Sequence, residues 1–127
     1  MKKIHIGIVI VGVLSTVAIL PWSSVVAQQP ACLHGTGETP TQQMRRRQAL
    51  VMARQINTAQ VVARQRTNAY QSLTGLERVG AAPDGFVARI AVDESAYAFS
   101  IKDSTDPCGF AFFSDQDGII YTGEALR

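Results

Sequence analysis

Apolar residues recur at steps of three and four positions over a long stretch of this chain, from Thr39 to about Ser72. After Pro40 the stretch contains no glycine and no proline. Thr39 can serve as N-cap, Pro40 suits the first helical position, and Gln42 completes a Thr-x-x-Gln capping box. The apolar positions form a single stripe, made of Ala49, Met52, Ile56, Ala59, Ala63, Tyr70 and Leu73. This pattern predicts an amphipathic helix of roughly 50 Å.

The second half of the chain alternates with the period of a β-strand. Residues 86–92 and 97–102 place apolar side chains at every second position, and residues 110–114 are a nearly continuous apolar run. Residues 115–118, Asp-Gln-Asp-Gly, are a hairpin signal in which Asp117-Gly118 suits a type I′ turn, and residues 119–122 complete the hairpin. The pattern predicts an antiparallel meander of three or four strands. Because its apolar face would cover the helical stripe, we expect a two-layer α+β domain over residues 39–127.

The first residues are typical of a targeting segment. Lys2 and Lys3 precede an apolar run from Ile6 to Leu20, and small residues stand before Gln28. This is the three-part pattern of a secretory signal peptide, so we expect residues 1–27 to be removed on export. An uncleaved N-terminal membrane anchor is the alternative, although the run is marginal for a membrane span. Residues 28–38, which contain a proline and two glycines, are predicted to form an extended leader into the helix.

The two cysteines lie far apart in the sequence, Cys32 in the leader and Cys108 in the strand region. Two cysteines in an exported chain usually pair. We therefore expect a Cys32–Cys108 disulfide that ties the leader to the sheet. A metal site formed by Cys32, His34 and Cys108 is the alternative, and it lacks a fourth ligand.

Charge is laid out unevenly along the chain. Charged residues make up 17% of it and the formal net charge is +2, but positive and negative residues balance once Lys2 and Lys3 are left out. Residues 28–79 contain seven arginines and two acids, whereas residues 80–127 contain three basic and eight acidic residues. This predicts attraction between a basic helix and an acidic sheet, with head-to-tail association between copies as the alternative. Nucleic-acid binding is not expected, because the arginines are not interleaved with aromatic residues.

The most conspicuous run of charge is Arg45, Arg46 and Arg47, near the start of the predicted helix. Three cations at this end oppose the helix dipole. A solvated helix face is the simplest interpretation. The alternative is an interaction surface for a partner such as an acidic protein or an anionic lipid, and the three arginines are the candidates for it.

The sequence contains no recognisable catalytic set, so we expect a protein that is not an enzyme and needs no cofactor. No Ser/His/Asp or Cys/His combination can be assembled with a meaningful spacing. The one metal hypothesis is calcium, which takes several oxygen ligands from loops. Its candidate ligands are Asp103, Asp106, Asp115 and Asp117. Ordinary turn chemistry is the alternative interpretation of these aspartates.

The order of a long helix, a variable connector and a small antiparallel sheet resembles the globular region of type IV pilins and type II secretion pseudopilins. Residues 54–60, RQINTAQ, are similar to an R-x-I-N-T-A-Q helix of pilin-like proteins of the G/H type. Residues 109–120, GFAFFSDQDGII, look like the closing hairpin of those proteins. The resemblance covers about Met44 to Thr122 and implies a pilin-like fold. Some pseudopilins that this chain resembles bind calcium near their C-terminal loops.

The N-terminal part departs from the signature of that family. Gly7 is followed by Ile8, and Gly12 stands where the family has a glutamate. Three prolines, the last of them Pro40, interrupt the path from the apolar run to the helix. We therefore expect a pilin-like domain that is exported by an ordinary signal and lacks the usual polymerising stem.

Together these observations and the resemblance predict an exported, periplasmic or extracellular protein with a structural or protein–protein interaction role. The role would belong to a cell-envelope or secretion/pilus-type assembly, with other envelope or secretion proteins or further copies of the chain as partners. Anchoring in the inner membrane, facing the periplasm through an uncleaved N-terminus, is the alternative location. The alternative function is a soluble periplasmic or secreted binding or inhibitory module that uses a pilin-like fold.

Overall fold

The computed structural model describes residues 31–124, in which one helix is layered on one sheet. The elements are helix α1 (Pro40–Thr67), a short 3-10 turn (Leu73–Gly75), and strands β1 (Phe86–Val92), β2 (Tyr97–Asp103), β3 (Ala111–Asp115) and β4 (Tyr121–Gly123). The predicted α+β class, with a helix on an antiparallel meander, is therefore confirmed. The predicted signal peptide or anchor over residues 1–27 lies outside the described residues.

Helix α1 begins where the sequence predicts. The Thr39 hydroxyl oxygen accepts a hydrogen bond from the Gln42 N–H at 3.3 Å, and the Gln42 side-chain oxygen accepts one from the Thr39 N–H at 2.7 Å. Pro40 is the first helical residue, a position where its missing N–H costs nothing. The capping box thus provides partners for backbone groups that a helix start otherwise leaves unpaired.

Helix α1 ends five residues earlier than the predicted boundary near Ser72. Asn68 adopts the left-handed conformation with φ 56° and donates its N–H to the carbonyl oxygen of Arg64 at 3.0 Å. Asparagine tolerates this conformation better than most residues, so it can terminate a helix without glycine. Tyr70 and Leu73, which were predicted on the helical stripe, instead pack against the core from the connector that follows.

The four strands form one antiparallel sheet in the order β1-β2-β3-β4, so each strand pairs with the next one along the chain. The register places Ile101 of β2 between Ala88 of β1 and Phe112 of β3. Every second residue of β2 is buried, from Tyr97 to Asp103, and those between are exposed or half-buried. This alternation confirms that one face of the meander covers the helix. Strand β2 also runs one residue beyond the predicted boundary and includes Asp103.

The connection between β3 and β4 differs from the predicted type I′ turn. That turn requires positive φ at both central residues, but Asp117 is not among the non-glycine residues with positive φ in the described chain. Gly118, with φ 74°, donates its N–H to the Asp115 carbonyl oxygen at 2.9 Å. The Asp115 carboxylate also accepts the Asp117 N–H at 3.0 Å, which favours a different local turn. Residues 116–120 therefore form a longer connection, called the hairpin loop below.

The core lies between α1 and the inner face of the sheet. Ala49, Ala53 and Ile56 of α1 are fully enclosed, and the two alanines allow the helix axis to approach the strands closely. The buried apolar cluster comprises Ala49, Met52, Ala53, Ile56, Leu76, Phe86, Tyr97, Phe99, Ile101, Phe110 and Phe112. Because the cluster draws on α1, the connector and three of the strands, the domain has one continuous core.

Asn57, in the middle of α1, joins the helix to two parts of the sheet. Its side-chain nitrogen donates to the Ser114 hydroxyl at 3.0 Å and to the Gly118 carbonyl oxygen at 2.9 Å. Its side-chain oxygen accepts a hydrogen bond from the Tyr97 hydroxyl at 2.9 Å. Burial raises the pKa of Tyr97 to about 12, so the phenol keeps the proton for this bond at neutral pH. The asparagine of the RQINTAQ segment thus fixes the position of the hairpin loop.

Gln60, the last residue of that segment, fastens the connector to the helix. Its side chain is fully buried. The side-chain nitrogen donates to the Gln71 carbonyl oxygen at 2.7 Å, and the side-chain oxygen accepts the Gln71 N–H at 2.9 Å. Because the oxygen and the nitrogen of this buried amide both have partners, Gln60 fixes the position of residue 71 without leaving an unpaired polar group.

We expect Gln60→Ala to lower the free energy of unfolding by about 2 kcal/mol, because the mutation leaves the Gln71 N–H and C=O without their partner. Urea unfolding at pH 7 measures the loss. Gln65→Ala is the matched control, since Gln65 lies on the same helix and is exposed, and its effect should stay within about 0.5 kcal/mol. Equal effects of the two substitutions would contradict a clamping role for Gln60.

Candidate functional site

The leader is attached to the loop between β2 and β3 by a covalent bond. Cys32 and Cys108 form a disulfide with their Cα atoms 5.2 Å apart, which confirms the predicted pairing. The alternative metal site is therefore wrong, because both cysteine sulfurs are used in the bond. Next to the disulfide, the Leu33 N–H donates to the Asp106 carboxylate at 2.9 Å. The leader is thus fixed against the sheet before the chain enters α1.

His34 lies at the centre of a group of charged side chains that we call the leader cluster: His34, Glu38 and Asp103, whose side chains are buried, and Arg45 and Arg46, whose side chains are partly exposed. The His34 Nδ1 atom is 2.7 Å from Glu38 Oε1, and Nε2 is 2.9 Å from Asp103 Oδ2. The His34 side chain is only 2% exposed. His34 is thus tied through one ring nitrogen to the leader and through the other to β2.

Arg45 connects α1 to the Asp103 side of the leader cluster. Its Nη2 atom is 3.2 Å from Asp103 Oδ2, and its Nε–H donates to the Asp84 carbonyl oxygen at 2.7 Å. The guanidinium also lies over the Phe86 ring, 5.6 Å from its centroid. Gly85 has φ 82°, and a Cβ atom there would clash with the Arg45 guanidinium. The positive φ therefore favours glycine at position 85, and a side chain there would also make the Arg45 guanidinium shift.

Arg46 connects α1 to the Glu38 side of the leader cluster. Its Nε and Nη2 atoms donate to the two Glu38 carboxylate oxygens at 2.8 and 2.9 Å, a two-point arrangement that favours an ionised carboxylate. These bonds lower the pKa of Glu38 below its ordinary value, against the opposing effect of burial and with a smaller contribution from His34. Glu38 therefore stays charged to a lower pH than an ordinary glutamate does.

Asp103 and Asp106 are both buried, and both have a pKa below the ordinary value. Burial by itself would raise each pKa. The effect of burial on the pKa of Asp103 is outweighed by hydrogen bonds from Thr105 and His34 and by the charge of Arg45. The effect of burial on the pKa of Asp106 is outweighed by hydrogen bonds from three backbone N–H groups, those of Leu33, Phe110 and Cys108. Each carboxylate is thus stabilised in its charged form by donors that exist only in the folded chain.

These lowered pKa values make the stability of the fold dependent on pH. A carboxyl group whose pKa is lower in the folded state contributes fully above its unfolded pKa of about 4, and the contribution is lost as the pH falls through the folded pKa. We therefore expect the free energy of unfolding to fall progressively below about pH 4. Urea unfolding between pH 7 and pH 2 measures this dependence.

Glu38→Gln should reduce the fall in the free energy of unfolding at acid pH, because the substituted side chain no longer binds a proton. Glu77→Gln is the matched control, since the Glu77 side chain is 78% exposed and its ion pair with Arg66 lies on the surface. The same acid dependence in Glu38→Gln and in the unmodified chain would show that Glu38 is not one of its sources.

The leader cluster is suited to holding the leader in place and not to proton transfer with a substrate. Both ring nitrogens of His34 are occupied by carboxylates, and the ring packs at tilted angles against Phe86 and Phe110, with ring centroids at 5.9 and 4.5 Å. Two arginines balance the two carboxylates. A buried ion network of this kind orients chain segments when all of its members have partners.

The four aspartates proposed as calcium ligands lie at two ends of the sheet. Asp103 and Asp106 belong to the leader end, whereas Asp115 lies opposite Ala98 at the other end of β2. Five residues of strand separate Asp103 from that end, roughly 16 Å. Within residues 31–124, no three His, Cys, Asp or Glu side chains form a group that could hold a metal ion. The described geometry therefore gives the calcium hypothesis no support.

The predicted interaction surface of three arginines divides into two parts. Arg45 and Arg46 make the ion pairs of the leader cluster, whereas Arg47 is exposed and pairs with no acid in the described part of the chain. Arg47 borders a shallow depression of about 450 Å³ together with Met44 and Val51. The exposed surface around the start of α1 is thus less basic and more apolar than the sequence indicates.

A larger groove runs between α1 and connector residues 71–78, with a volume of about 660 Å³. We call it the connector groove, and its principal lining residues are Val51, Arg54, Ala59, Val62, Leu76 and Arg78. The Arg66–Glu77 ion pair, at 3.3 Å, forms part of its wall. Arg54 and Arg78 make no ion pair with any residue between 31 and 124. The groove therefore combines an apolar floor with an excess of positive charge.

Sequence reasoning considered His34 only as a metal ligand together with the two cysteines and placed Glu38 only in an extended leader, so it missed the ion pairs of both residues. The signal that could have found them is the predicted disulfide. A bond between Cys32 and Cys108 brings the residues after 32 close to those before 108, which include Asp103 and Asp106. A histidine and a glutamate in that segment could then have been paired with these acids and with the arginines at the start of α1.

Comparison with known proteins finds no match for this chain among protein-family models, curated proteins or solved structures. The pilin resemblance therefore remains a prediction based on element order and on two short segments. None of the helices within residues 31–124 has the length and the apolar character that a membrane span requires.

Proposed function

We propose that the protein is an exported, non-enzymatic, pilin-like protein with a structural or protein–protein interaction role in a cell-envelope or secretion/pilus-type assembly. The observation that carries this proposal is a second apolar stripe, which is exposed on the outer face of α1. Met44, Val51 and Val62 are 54%, 50% and 37% exposed, and they lie on the side of the helix away from Ala49, Ala53 and Ile56. A surface helix normally presents polar residues there, so the stripe favours contact with another protein.

The disulfide is consistent with export. Cys32–Cys108 closes a loop with a sequence separation of 76 residues, and such bonds persist mainly in oxidising compartments outside the cytosol. The resemblance to pilins and pseudopilins is the basis for proposing a secretion/pilus-type assembly. In the described structure the RQINTAQ segment supplies Ile56 to the core and the two clamping amides, Asn57 and Gln60. The segment that resembles pilin-like proteins is thus the one that joins helix, connector and sheet.

The first experiment is to determine the N-terminus, the intact mass and the cell fraction of the recovered protein. A chain beginning at Gln28 in a soluble fraction would support a secreted domain and remove a filament role of the usual kind. An intact N-terminus, or one beginning at Ile8, in the membrane fraction would support an anchored, pilin-like protein. Sedimentation at several salt concentrations then tests for self-association driven partly by charge, which weakens as salt screens it.

A soluble binding or inhibitory module remains a second candidate, and the connector groove is the observation that favours it. Its volume of about 660 Å³ lies within the range of roughly 300–1,000 Å³ found for small-molecule sites. Native mass spectrometry of the protein recovered from cells would separate the two functions. Retention of a small ligand that Val62→Arg abolishes would favour the binding module, whereas salt-sensitive oligomers without ligand would favour the assembly role.

A further inference from the structure

The connector groove and the hairpin loop are complementary surfaces on opposite flanks of α1. Ile56 points into the core and is fully buried. Each helical residue is rotated by about 100° from the one before it, so Gln55 and Asn57 lie on opposite sides of Ile56. Gln55 lines the groove, and Asn57 holds Gly118 of the hairpin loop at 2.9 Å. The hairpin loop is therefore held away from the floor of the groove in its own chain.

The two surfaces are also complementary in charge. The groove contains Arg54 and Arg78, neither of them paired with an acid in residues 31–124. The sequence from residue 103 to residue 124 contains no lysine and no arginine. On the hairpin loop Asp117 is exposed, and its carboxylate forms no ion pair within the described chain. An unpaired acidic loop and an unpaired basic groove attract each other across an interface.

Apolar residues accompany the charges on both sides. Ile119 in the hairpin loop is 55% exposed, more than any other large apolar residue described. The floor of the groove is lined by Val51, Ala59 and Val62. Ile119, with Asp117 two residues before it, fits a groove that has an apolar floor and a basic edge. Burial of Ile119 would add to the electrostatic attraction, since removing apolar surface from water favours association.

We propose that the occupant of the connector groove is the hairpin loop of a second copy of this chain, with Asp117 facing Arg54 and Arg78 and Ile119 on the apolar floor. This inference rests on the interaction role proposed above and specifies its contact. Because the two surfaces differ and lie on opposite flanks of the helix, the contact is heterologous. Each copy presents one free loop and one free groove, so association continues head to tail until a ring closes or a chain forms.

Two double variants of the full chain, as recovered from expressing cells, test the contact. The groove variant is Arg54→Ser/Arg78→Ser, and the loop variant is Asp117→Ser/Ile119→Ser. All four residues are exposed, so circular dichroism and urea unfolding should match the unmodified chain. Sedimentation velocity over a concentration series should show the unmodified chain forming dimers and larger species. Each variant alone should associate about tenfold or more weakly, because its contact lacks the attracting partner.

Mixing the two variants provides the decisive measurement. The intact loop of the groove variant can enter the intact groove of the loop variant, whereas the remaining loop and groove are both disabled. An equimolar mixture should therefore form 1:1 dimers and nothing larger. A symmetric contact that uses the same patch on both copies would not be restored by mixing. Lys102→Ser, an exposed cation on the outer face of β2, is the control and should associate like the unmodified chain.

Three results would overturn the proposed contact. If both double variants assemble like the unmodified chain, the contact lies elsewhere, although the interaction role would stand. If the mixture stays monomeric, the loop and the groove do not meet. If the unmodified chain is monomeric at every concentration and salt, a second copy is not the occupant. The proposed function would also be removed if, in addition to staying monomeric, the chain began at Gln28 in a soluble fraction and had no bound partner.

Discussion

Replacing Asp103 with alanine is expected to lower the free energy of unfolding by about 3 to 5 kcal/mol, the loss typical of a buried ion network deprived of one member. Asp103 is fully buried, and its Oδ2 atom faces both His34 Nε2 at 2.9 Å and Arg45 Nη2 at 3.2 Å. Without it, Arg45 loses its carboxylate partner, and His34 keeps only Glu38 as a carboxylate neighbour. Most of the lost stability thus comes from leaving a charge without its partner in a mostly buried site, and less comes from the lost hydrogen bonds themselves.

Urea unfolding at pH 7 measures this effect, with Asp117→Ala as the matched control. Asp117 is an exposed aspartate without an ion pair in the described chain, so its replacement should change the free energy of unfolding by no more than about 0.5 kcal/mol. Asp103→Asn is informative as a second variant, because it keeps the shape and removes the charge. A loss below about 1 kcal/mol for Asp103→Ala would mean that water reaches the leader cluster and solvates its charges.

Removal of the disulfide is expected to have an effect of similar size. Loop-closure entropy predicts that a bond across 76 residues contributes about 4 to 5 kcal/mol by restricting the unfolded chain. Domains of this size are stable by only about 5 to 15 kcal/mol. Cys32→Ser/Cys108→Ser should therefore leave a marginally folded protein, with a large decrease in the urea concentration at the midpoint of unfolding.

The control for the disulfide is the unmodified protein with and without a reducing agent. Reduction should bring its stability close to that of the double serine variant, and the variant itself should not respond to the reducing agent. Peptide maps under reducing and non-reducing conditions establish whether the bond forms. Free thiols at both cysteines in protein recovered from cells would contradict the pairing and the predicted stabilisation together.

The two effects should not be additive. The disulfide and the leader cluster hold the same segment, because Cys32 and His34 are two residues apart. Without the disulfide, part of the leader can detach and His34 can become solvated, so the cost of Asp103→Ala should shrink by roughly 1 to 2 kcal/mol. A double-mutant cycle with the cysteine double variant measures this coupling. Full additivity would show that the leader cluster stays formed without the covalent bond.

The leader cluster changes how the basic start of α1 should be interpreted. In the sequence, three consecutive arginines suggest a solvated helix face or, as the alternative, an exposed patch for an acidic partner. In the structure, Arg45 and Arg46 neutralise carboxylates that belong to the leader and to β2, and only Arg47 remains exposed. Part of the expected attraction between basic helix and acidic sheet therefore acts within the chain. The surface left for partners is formed by the exposed apolar residues Met44, Val51 and Val62 of α1 and by the connector groove.

Local chemistry in the sequence determined much of the fold. The capping box at Thr39, the apolar stripe through Ile56 and the period-two pattern of β2 each depend on residues a few positions apart, so they can be recognised without a structure. The pairing of Cys32 with Cys108 followed from the number of cysteines and the expected compartment. Errors were confined to ends and turns, where one residue such as Asn68 or Asp115 selects among conformations of similar energy.

The tertiary structure alone decided which distant residues meet. His34 and Asp103 are separated by 69 positions in the chain, and no periodicity or motif connects them. Their pairing depends on the leader folding back onto the end of β2, which the disulfide and the register of the sheet bring about. The connector groove likewise exists because Gln60 draws residue 71 against α1. Patterns in a sequence report short-range preferences, whereas buried charge pairs and grooves arise only when whole elements pack together.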